Sequence, residues 1–422
     1  MQNISFVFPG QGSQIVGMGK KLCEEHSIAK QIFEQASDIV GFDLMKLCFE
    51  GSMDELTETK NAQPAILTHS VAAFKVAQEM FPIKPVICAG HSLGEISALT
   101  CAGAIDFADA VAIVKRRGEL MQASTSIGVG AMAAISGVDA DEVHEECQKN
   151  SSHDSMAVIS NYNSANQIVI SGHKAAVVVI CETLKKNGAK VAILKVSAPF
   201  HSPLMESAAN EFYNYLGRYK FFALNFPVIS NVDAKPYSDE NEIRIKLKKQ
   251  IISPVRWYET MQFMESQNVE LLIEVGPQAV LRNFARKSML NTKAYSFDKS
   301  DDVSKITEYL KSASAFKHTV VTKCIAIVVC TKNRNWDNVA YSEGVIQPYR
   351  QIVQLQQQIE DEKREPTVEE MKMALDMLKL VLKTKKVPIY EQIDRFNEVF
   401  RASGTQDLFP DFEMLGNDMV LK

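Results

Sequence analysis

Over about the first 300 residues the chain alternates short apolar runs with longer amphipathic stretches. Residues 4–8, 85–89, 227–232 and 271–277 are mostly apolar runs edged by Pro, Gly or Asn, the pattern of parallel strands buried on both faces. The last of them ends the core sheet at Gly276-Pro277. Residues 20–81 read mostly as helices, one opened by Gln63-Pro64-Ala65 with Pro at an early helical position. Residues 107–122 form a strong helical pattern, and 246–252 a shorter one that stops at Ser253-Pro254. From Gly128 the texture changes. Residues 130–135, 156–160, 167–171 and 189–196 read as strands, and 139–150 and 173–187 as helices. That order, β-α-β-β-α-β, is the signature of a ferredoxin-like unit.

The expected fold is therefore α/β. A hydrolase-like large domain with a parallel-sheet core spans 1–125 and 198–300, and a ferredoxin-like small domain, 126–197, is inserted in it. Residues 301–318 read as a polar linker with one helix, and 319–422 as a mainly helical C-terminal extension. In the extension 322–329 reads as an extra strand, and 336–362 and 367–385 as long, charged amphipathic helices. The tail from Ser403 is weakly patterned and reads as disordered.

Composition narrows the classes of function. A net charge of −5 over 422 residues argues against nucleic acid as the main partner, which needs a basic face. No apolar run approaches the ~20 residues of a membrane span, so no membrane partner is expected. The first residues lack a basic segment and a long apolar core, so no signal peptide is expected. The eight cysteines include no Cys-x-x-Cys pair and mostly sit in apolar stretches, which fits reduced thiols in a cytoplasmic protein. The eight histidines are dispersed, without metal-ligand spacing.

The chemistry centres on Gly90-His91-Ser92-Leu93-Gly94-Glu95. A Gly-x-Ser-x-Gly between an apolar run and a helical segment is a nucleophile elbow, which lifts the Ser92 hydroxyl clear of the sheet. His91 is a poor base for its neighbour, because adjacent residues on a tight turn point apart. His201, in the Pro-flanked turn Pro199-Phe200-His201-Ser202-Pro203, sits where the chain re-enters the large domain. Between Ser92 and His201 no acid stands out to orient an imidazole, and a backbone carbonyl can do that work. Pro9-Gly10-Gln11-Gly12-Ser13-Gln14 follows the first strand. It matches neither the dinucleotide nor the phosphate-loop fingerprint, and reads either as a ligand loop at the sheet's carboxyl edge or as a plain connector. Lys115, Arg116 and Arg117 point about 100° apart on their helix, so one can face inward while its neighbours meet water.

Six motifs stand in order: Phe8-Pro9-Gly10-Gln11-Gly12-Ser13-Gln14, Gly90 to Glu95, Arg117-Gly118 with Met121, Pro199 to Ser202, Gln250 before Pro254-Val255-Arg256-Trp257, and Glu274-Val275-Gly276-Pro277. Together, over roughly residues 1–300, they resemble the malonyl-CoA:acyl carrier protein transacylase family of fatty acid and polyketide synthesis. The resemblance implies that Ser92 is the nucleophile and that His201 is general base and then acid. It implies that the Gln250 backbone carbonyl orients His201, and that the N–H groups of Gln11 and Leu93 form the oxyanion hole. Arg117 then pairs with the free malonyl carboxylate, Gln63 and Asn163 line the pocket, and Phe200 narrows it beside the acyl α-carbon. The resemblance gives His91 a structural part and Asn231 a supporting one. The implied donor is malonyl-CoA, the acceptor is the phosphopantetheine thiol of an acyl carrier protein, and no cofactor is needed. Ala165-Asn166 and Gln278-Ala279 depart from the usual family loops. The added region from about Thr319 is the larger departure, and it resembles the discrete acyltransferases that serve bacterial polyketide synthase modules. Two other readings stay open here: a hydrolase of the same fold that clears acyl groups from carrier proteins, and a scaffold built on the 336–385 helices. Arg117 argues for the transferase, since a hydrolase of assorted acyl chains has no use for a buried cation.

Overall fold

A computed structural model describes residues 3–81, 83–124, 129–152, 154–194, 196, 198–315, 319–362, 364–409 and 412. The chain forms two compact units, one ending at Thr307 and one beginning at Glu308.

The first unit is built on a five-stranded parallel sheet of order β7-β2-β1-β8-β9. Its strands are β1 (Ile4–Phe8), β2 (Ile87–Gly90), β7 (Val228–Ile229), β8 (Leu271–Glu274) and β9 (Lys293–Ser296). β1, β2, β7 and β8 are buried along their whole length, as their unbroken apolar runs require. β9 lies beyond the run ending at Gly276-Pro277, which is therefore not the last core strand. Its sequence, Lys293-Ala294-Tyr295-Ser296, alternates exposed and buried positions as an edge strand does, and this hides it from a search for apolar runs. Because β1 and β2 are parallel and in register, Phe8 beside Gly90, the loops after both strands emerge at one sheet edge.

The second sheet is antiparallel, of order β4-β5-β3-β6, with β3 (Gly130–Ser136), β4 (Ala157–Ser164), β5 (Gln167–His173) and β6 (Lys190–Ile193). The helices Ala140–Lys149 and Lys174–Lys186 contribute Val143, Val177 and Ile180 to the core that covers one face. This sheet is also sewn to the segment after the Asn241–Ile252 helix. Val255 donates its N–H to Ser160 O (2.9 Å) and accepts from Tyr162 N (3.0 Å), a parallel bridge opposite Asn161.

Helix limits differ from expectation in one place near the site. Pro64 does not open a helix but lies inside Thr59–Met80. The turn is already closed ahead of it, with Asn61 N and Ala62 N both donating to Glu58 O, so Pro64 costs a single ladder bond.

The second unit is helical. Its main helices are Val320–Cys330, Gln347–Asp361, Val368–Thr384 and Ile389–Ser403, around a core that includes Val321, Ile352, Leu378 and Phe396. Residues 322–329 are thus helix, not strand. The β-branched run misleads, whereas the buried positions Val320, Val321, Cys324, Ile327 and Val328 recur with helical spacing. The helix expected over 336–362 starts at Asn338 and is interrupted by a π-helical turn, Ser342–Ile346. The helix Ile389–Ser403 was not foreseen, nor was the docking of Phe409 and Phe412 against Phe400 and Phe396 in a tail expected to be disordered. Residues 410, 411 and 413–422 of that tail lie outside the described residues. Within the expected linker, Ser300–Ala315 is helix. Asp302 in its first turn accepts bonds from Arg282 (2.5 Å) and Ser296 N (2.9 Å), which fasten it to the parallel sheet. Residues 316–318 lie outside the described residues. No helix among the described residues is long and apolar enough to cross a membrane.

Candidate active site

The site begins with a backbone constraint. Gly90 ends β2 and Leu93 starts the helix Leu93–Cys101, so Ser92 must turn the chain in one step. It does so at φ 52°, ψ −106°, outside the regions open to most L-residues. Both glycines are steric necessities. A Cβ on Gly90 would stand 1.9 Å from the Gly94 carbonyl, and one on Gly94 would stand 1.9 Å from Phe8 O. Asn231, just after β7, clamps the turn by accepting from Ser92 N (2.7 Å) and donating Nδ2–H to Gly90 O (2.7 Å).

The Ser92 hydroxyl meets two side chains. His201 Nε2 lies 2.8 Å from Oγ, and Arg117 Nη2 donates to the same oxygen at 3.2 Å. His201 also has a left-handed backbone, φ 57°, in the turn between Pro199 and Pro203. Its Nδ1–H donates to the Gln250 backbone carbonyl at 2.7 Å, which leaves Nε2 as the acceptor facing Ser92. His201 is buried. Loss of solvation, and then the Arg117 cation, pull its pKa down to about 3, so the imidazole is neutral at pH 7.

Arg117 is the inward member of the cationic triplet, 1% exposed, while Lys115 reaches Val40 O and Arg116 pairs with Glu119 at the surface. Burial brings its pKa down to about 10, opposed by the Glu95 carboxylate, so it stays cationic at pH 7. Its Nη1 donates to Gln63 Oε1 (3.0 Å) and its Nη2 to Gln250 Oε1 (2.8 Å). Its buried Nε–H has no partner among the described residues. Gln63 therefore stands behind the guanidinium rather than on the cavity wall.

A cavity of about 660 Å³ opens over these groups. It is lined by the loop Gly10–Gln14, by Ser92, Leu93, Arg117, Met121, Phe200 and His201, and by Met132, Asn163 and Val169 of the antiparallel sheet. Gln11 and Leu93 face the same space, and Leu93, as first residue of its helix, has no intrahelical acceptor for its N–H. His91 is also on the wall, edged against Trp257 (ring centroids 5.8 Å apart), with Nε2 2.9 Å from Asn163 Oδ1. It ties the elbow to the antiparallel sheet. Among the described residues no group of three or more His, Cys, Asp or Glu is arranged to hold a metal ion.

Two buried neighbours carried no assigned role in the sequence. Glu95 closes the elbow motif, and Tyr237 stands in a stretch without any motif. Tyr237 Oη donates to Glu95 Oε1 (2.5 Å), and Glu95 Oε2 accepts from Asn231 N (3.0 Å) and Gln250 Nε2 (2.6 Å).

Comparison with known proteins agrees with this geometry. Residues 5–312 match the acyl transferase domain family. A malonyl CoA-acyl carrier protein transacylase of Bacillus subtilis is 38% identical over 396 residues, covering 93% of this chain and 99% of that protein. Such an alignment runs well into the second unit. Among solved structures, an acyl carrier protein S-malonyltransferase from Vibrio cholerae superposes with a TM-score of 0.70 at 39% identity, covering 72% of this chain and all of its own. A malonyl-transacylase solved in complex with its type II PKS acyl-carrier protein gives a TM-score of 0.69 at 39% identity, covering 71% of this chain and 97% of that one. The chain belongs to the malonyl CoA-acyl carrier protein transacylase family.

Proposed function

We propose that this protein moves a malonyl group from malonyl-CoA to the phosphopantetheine thiol of an acyl carrier protein, through an ester on Ser92. His201 Nε2 takes the Ser92 proton as Oγ attacks the thioester carbonyl carbon. The oxyanion is received by the N–H groups of Gln11 and Leu93. The C–S bond breaks, and His201 returns the proton to the departing CoA sulfur. In the second half the carrier thiol gives its proton to His201, its sulfur attacks the ester carbon, the bond from that carbon to Ser92 Oγ breaks, and His201 returns the proton to Oγ. The cycle balances with these groups alone and calls for no cofactor beyond the CoA thioester. Phe200 crowds the acyl α-carbon and Asn163 lines the wall.

The observation that carries this reading is the buried guanidinium 3.2 Å from the serine oxygen. A cation so placed receives an acyl group whose far end is a carboxylate, and acetyl leaves it with no carboxylate to bond directly. Residues 1–125 and 198–300 act as the catalytic domain and 126–197 as the wall that closes the pocket. The extension, 319–422, matches service to a polyketide or fatty acid assembly line as a discrete enzyme. The eight unpaired thiols fit action in the cytoplasm.

Intact-mass measurement after incubation with malonyl-, methylmalonyl- and acetyl-CoA tests it. The expected result is a malonyl adduct that is absent in Ser92→Ala, moves to added carrier protein, and gives way to acetyl labelling in Arg117→Ala. Malonyl-CoA consumed to free acid with no transfer to any carrier would overturn it.

A further inference from the structure

Gln250 does two jobs at once. Its backbone carbonyl holds His201, and its side-chain amide lies between two opposite charges. Oε1 accepts from Arg117 Nη2 at 2.8 Å, while Nε2 donates to Glu95 Oε2 at 2.6 Å and to Ser92 O at 2.9 Å. An amide has a right and a wrong way round. Flipped, it would set its NH2 against the guanidinium and its oxygen against the carboxylate and the Ser92 carbonyl. Glu95 is fully buried, which pushes its pKa up, and hydrogen bonds from Tyr237, Asn231 N, Gln250 and Ser230 oppose that by favouring the anion. The two nitrogen partners can only donate, which is the environment of an ionised carboxylate. It also sits in the first turn of the Leu93–Cys101 helix, where the helix dipole favours an anion.

We infer that Glu95 is a positioning residue for acyl-group selection: as a buried anion it locks the Gln250 amide, and the amide aims the Arg117 guanidinium at the carboxylate end of the acyl group. This rests on Arg117 receiving the malonyl carboxylate. It assigns the fully buried carboxylate of the elbow motif to the selecting arm of the site, while His201 is held by the Gln250 backbone carbonyl whatever the amide does. Tyr237 is the far end of the same arm.

Single-turnover acylation of Ser92 by malonyl-CoA and by acetyl-CoA, in the full-length protein, tests this. Glu95→Gln removes the charge and keeps the shape. The acylation rate with malonyl-CoA is expected to fall about 10–100-fold, the range of one charged hydrogen bond, while the acetyl rate changes less than about threefold. Tyr237→Phe, which leaves the carboxylate in place, is expected to shift the malonyl-to-acetyl ratio the same way by a smaller factor, and it keeps the inference open to test if Glu95→Gln does not fold. In an Arg117→Ala background Glu95→Gln should cost nothing further with malonyl-CoA, because the two act through one path. Equal losses with both donors, an unchanged ratio, or a full additional loss in the Arg117→Ala background would overturn it. Failure of the underlying reading shows separately, as malonyl labelling that Arg117→Ala leaves untouched.

Discussion

His201 shows how far burial alone can tune a base. An imidazole at its usual value would be half protonated near pH 6.5. Here burial, and then the Arg117 cation, bring it to about 3. A base must be neutral to act, so the acid limb of kcat/KM with malonyl-CoA is expected well below pH 5, with no break near 6.5. Arg117→Ala removes the second cause and leaves the first, so its limb, followed with acetyl-CoA, should move upward but stop short of 6.5. A wild-type limb at 6.5 would mean that the imidazole is solvated in the working enzyme. Ser92 and His201 were readable as residues because motifs flag them. Glu95 was visible but carried no assignment, since a Glu beside a helix start is ordinarily a surface residue. Tyr237 was not visible at all, because only the fold brings it to Glu95, 142 positions away.

The elbow is an element whose sequence states its own geometry. Two apolar strands in parallel register bring the Pro9–Gly10 turn against the Gly90–Gly94 turn, and the backbones approach so closely that no side chain fits between them. Gly94→Ala would press a methyl group into the Phe8 carbonyl. It is expected to cost about 1–3 kcal/mol of stability, and to lower Ser92 acylation more than the melting temperature suggests, because the displaced strand end carries the Gln11 loop. Circular-dichroism melts paired with single-turnover rates measure both. Other elements were less legible. β9 hides because an edge strand needs only one buried face. Residues 322–329 read as a strand because their β-branched residues favour one, until burial in a helical core overrides local preference and makes them part of the helix Val320–Cys330.

For the whole molecule, the buried imidazoles set how stability responds to acid. His69 is 3% exposed, its Nδ1 has no partner among the described residues, and burial brings its pKa down to about 4 despite Asp298 nearby. Between pH 6.5 and 4 the unfolded chain therefore binds a proton at this position that the folded chain does not. Stability from His69 is complete above pH 6.5 and is lost as pH falls towards 4. Glu274, pushed up to about 7 by burial, acts in the opposite sense over much of that window, so the comparison is made between two proteins. On going from pH 7 to 5, wild type should lose about 2 kcal/mol more than His69→Gln, as seen in urea unfolding. Parallel curves would place a proton on the folded imidazole. At this scale the α/β order and the inserted β-α-β-β-α-β unit were legible from spacing. The interruption at Ser342–Ile346 and the aromatic docking of the tail were not, because both depend on which helices meet.

The bridge between Val255 and β4 has a practical corollary for anyone recombining parts of such enzymes. By chain order the antiparallel sheet is a cassette with two covalent seams, one on either side of residues 126–197. The two backbone bonds from Val255 to Ser160 and Tyr162 make a third seam that no alignment of the cassette alone would mark. A graft cut only at the covalent seams would have to match a foreign β4 to the native 253–257 segment, a few residues from the Gln250 carbonyl that holds His201. Chimeras that carry 253–257 along with the cassette should keep that carbonyl in place. Those that leave it behind exchange the acyl pocket and disturb the base in the same stroke.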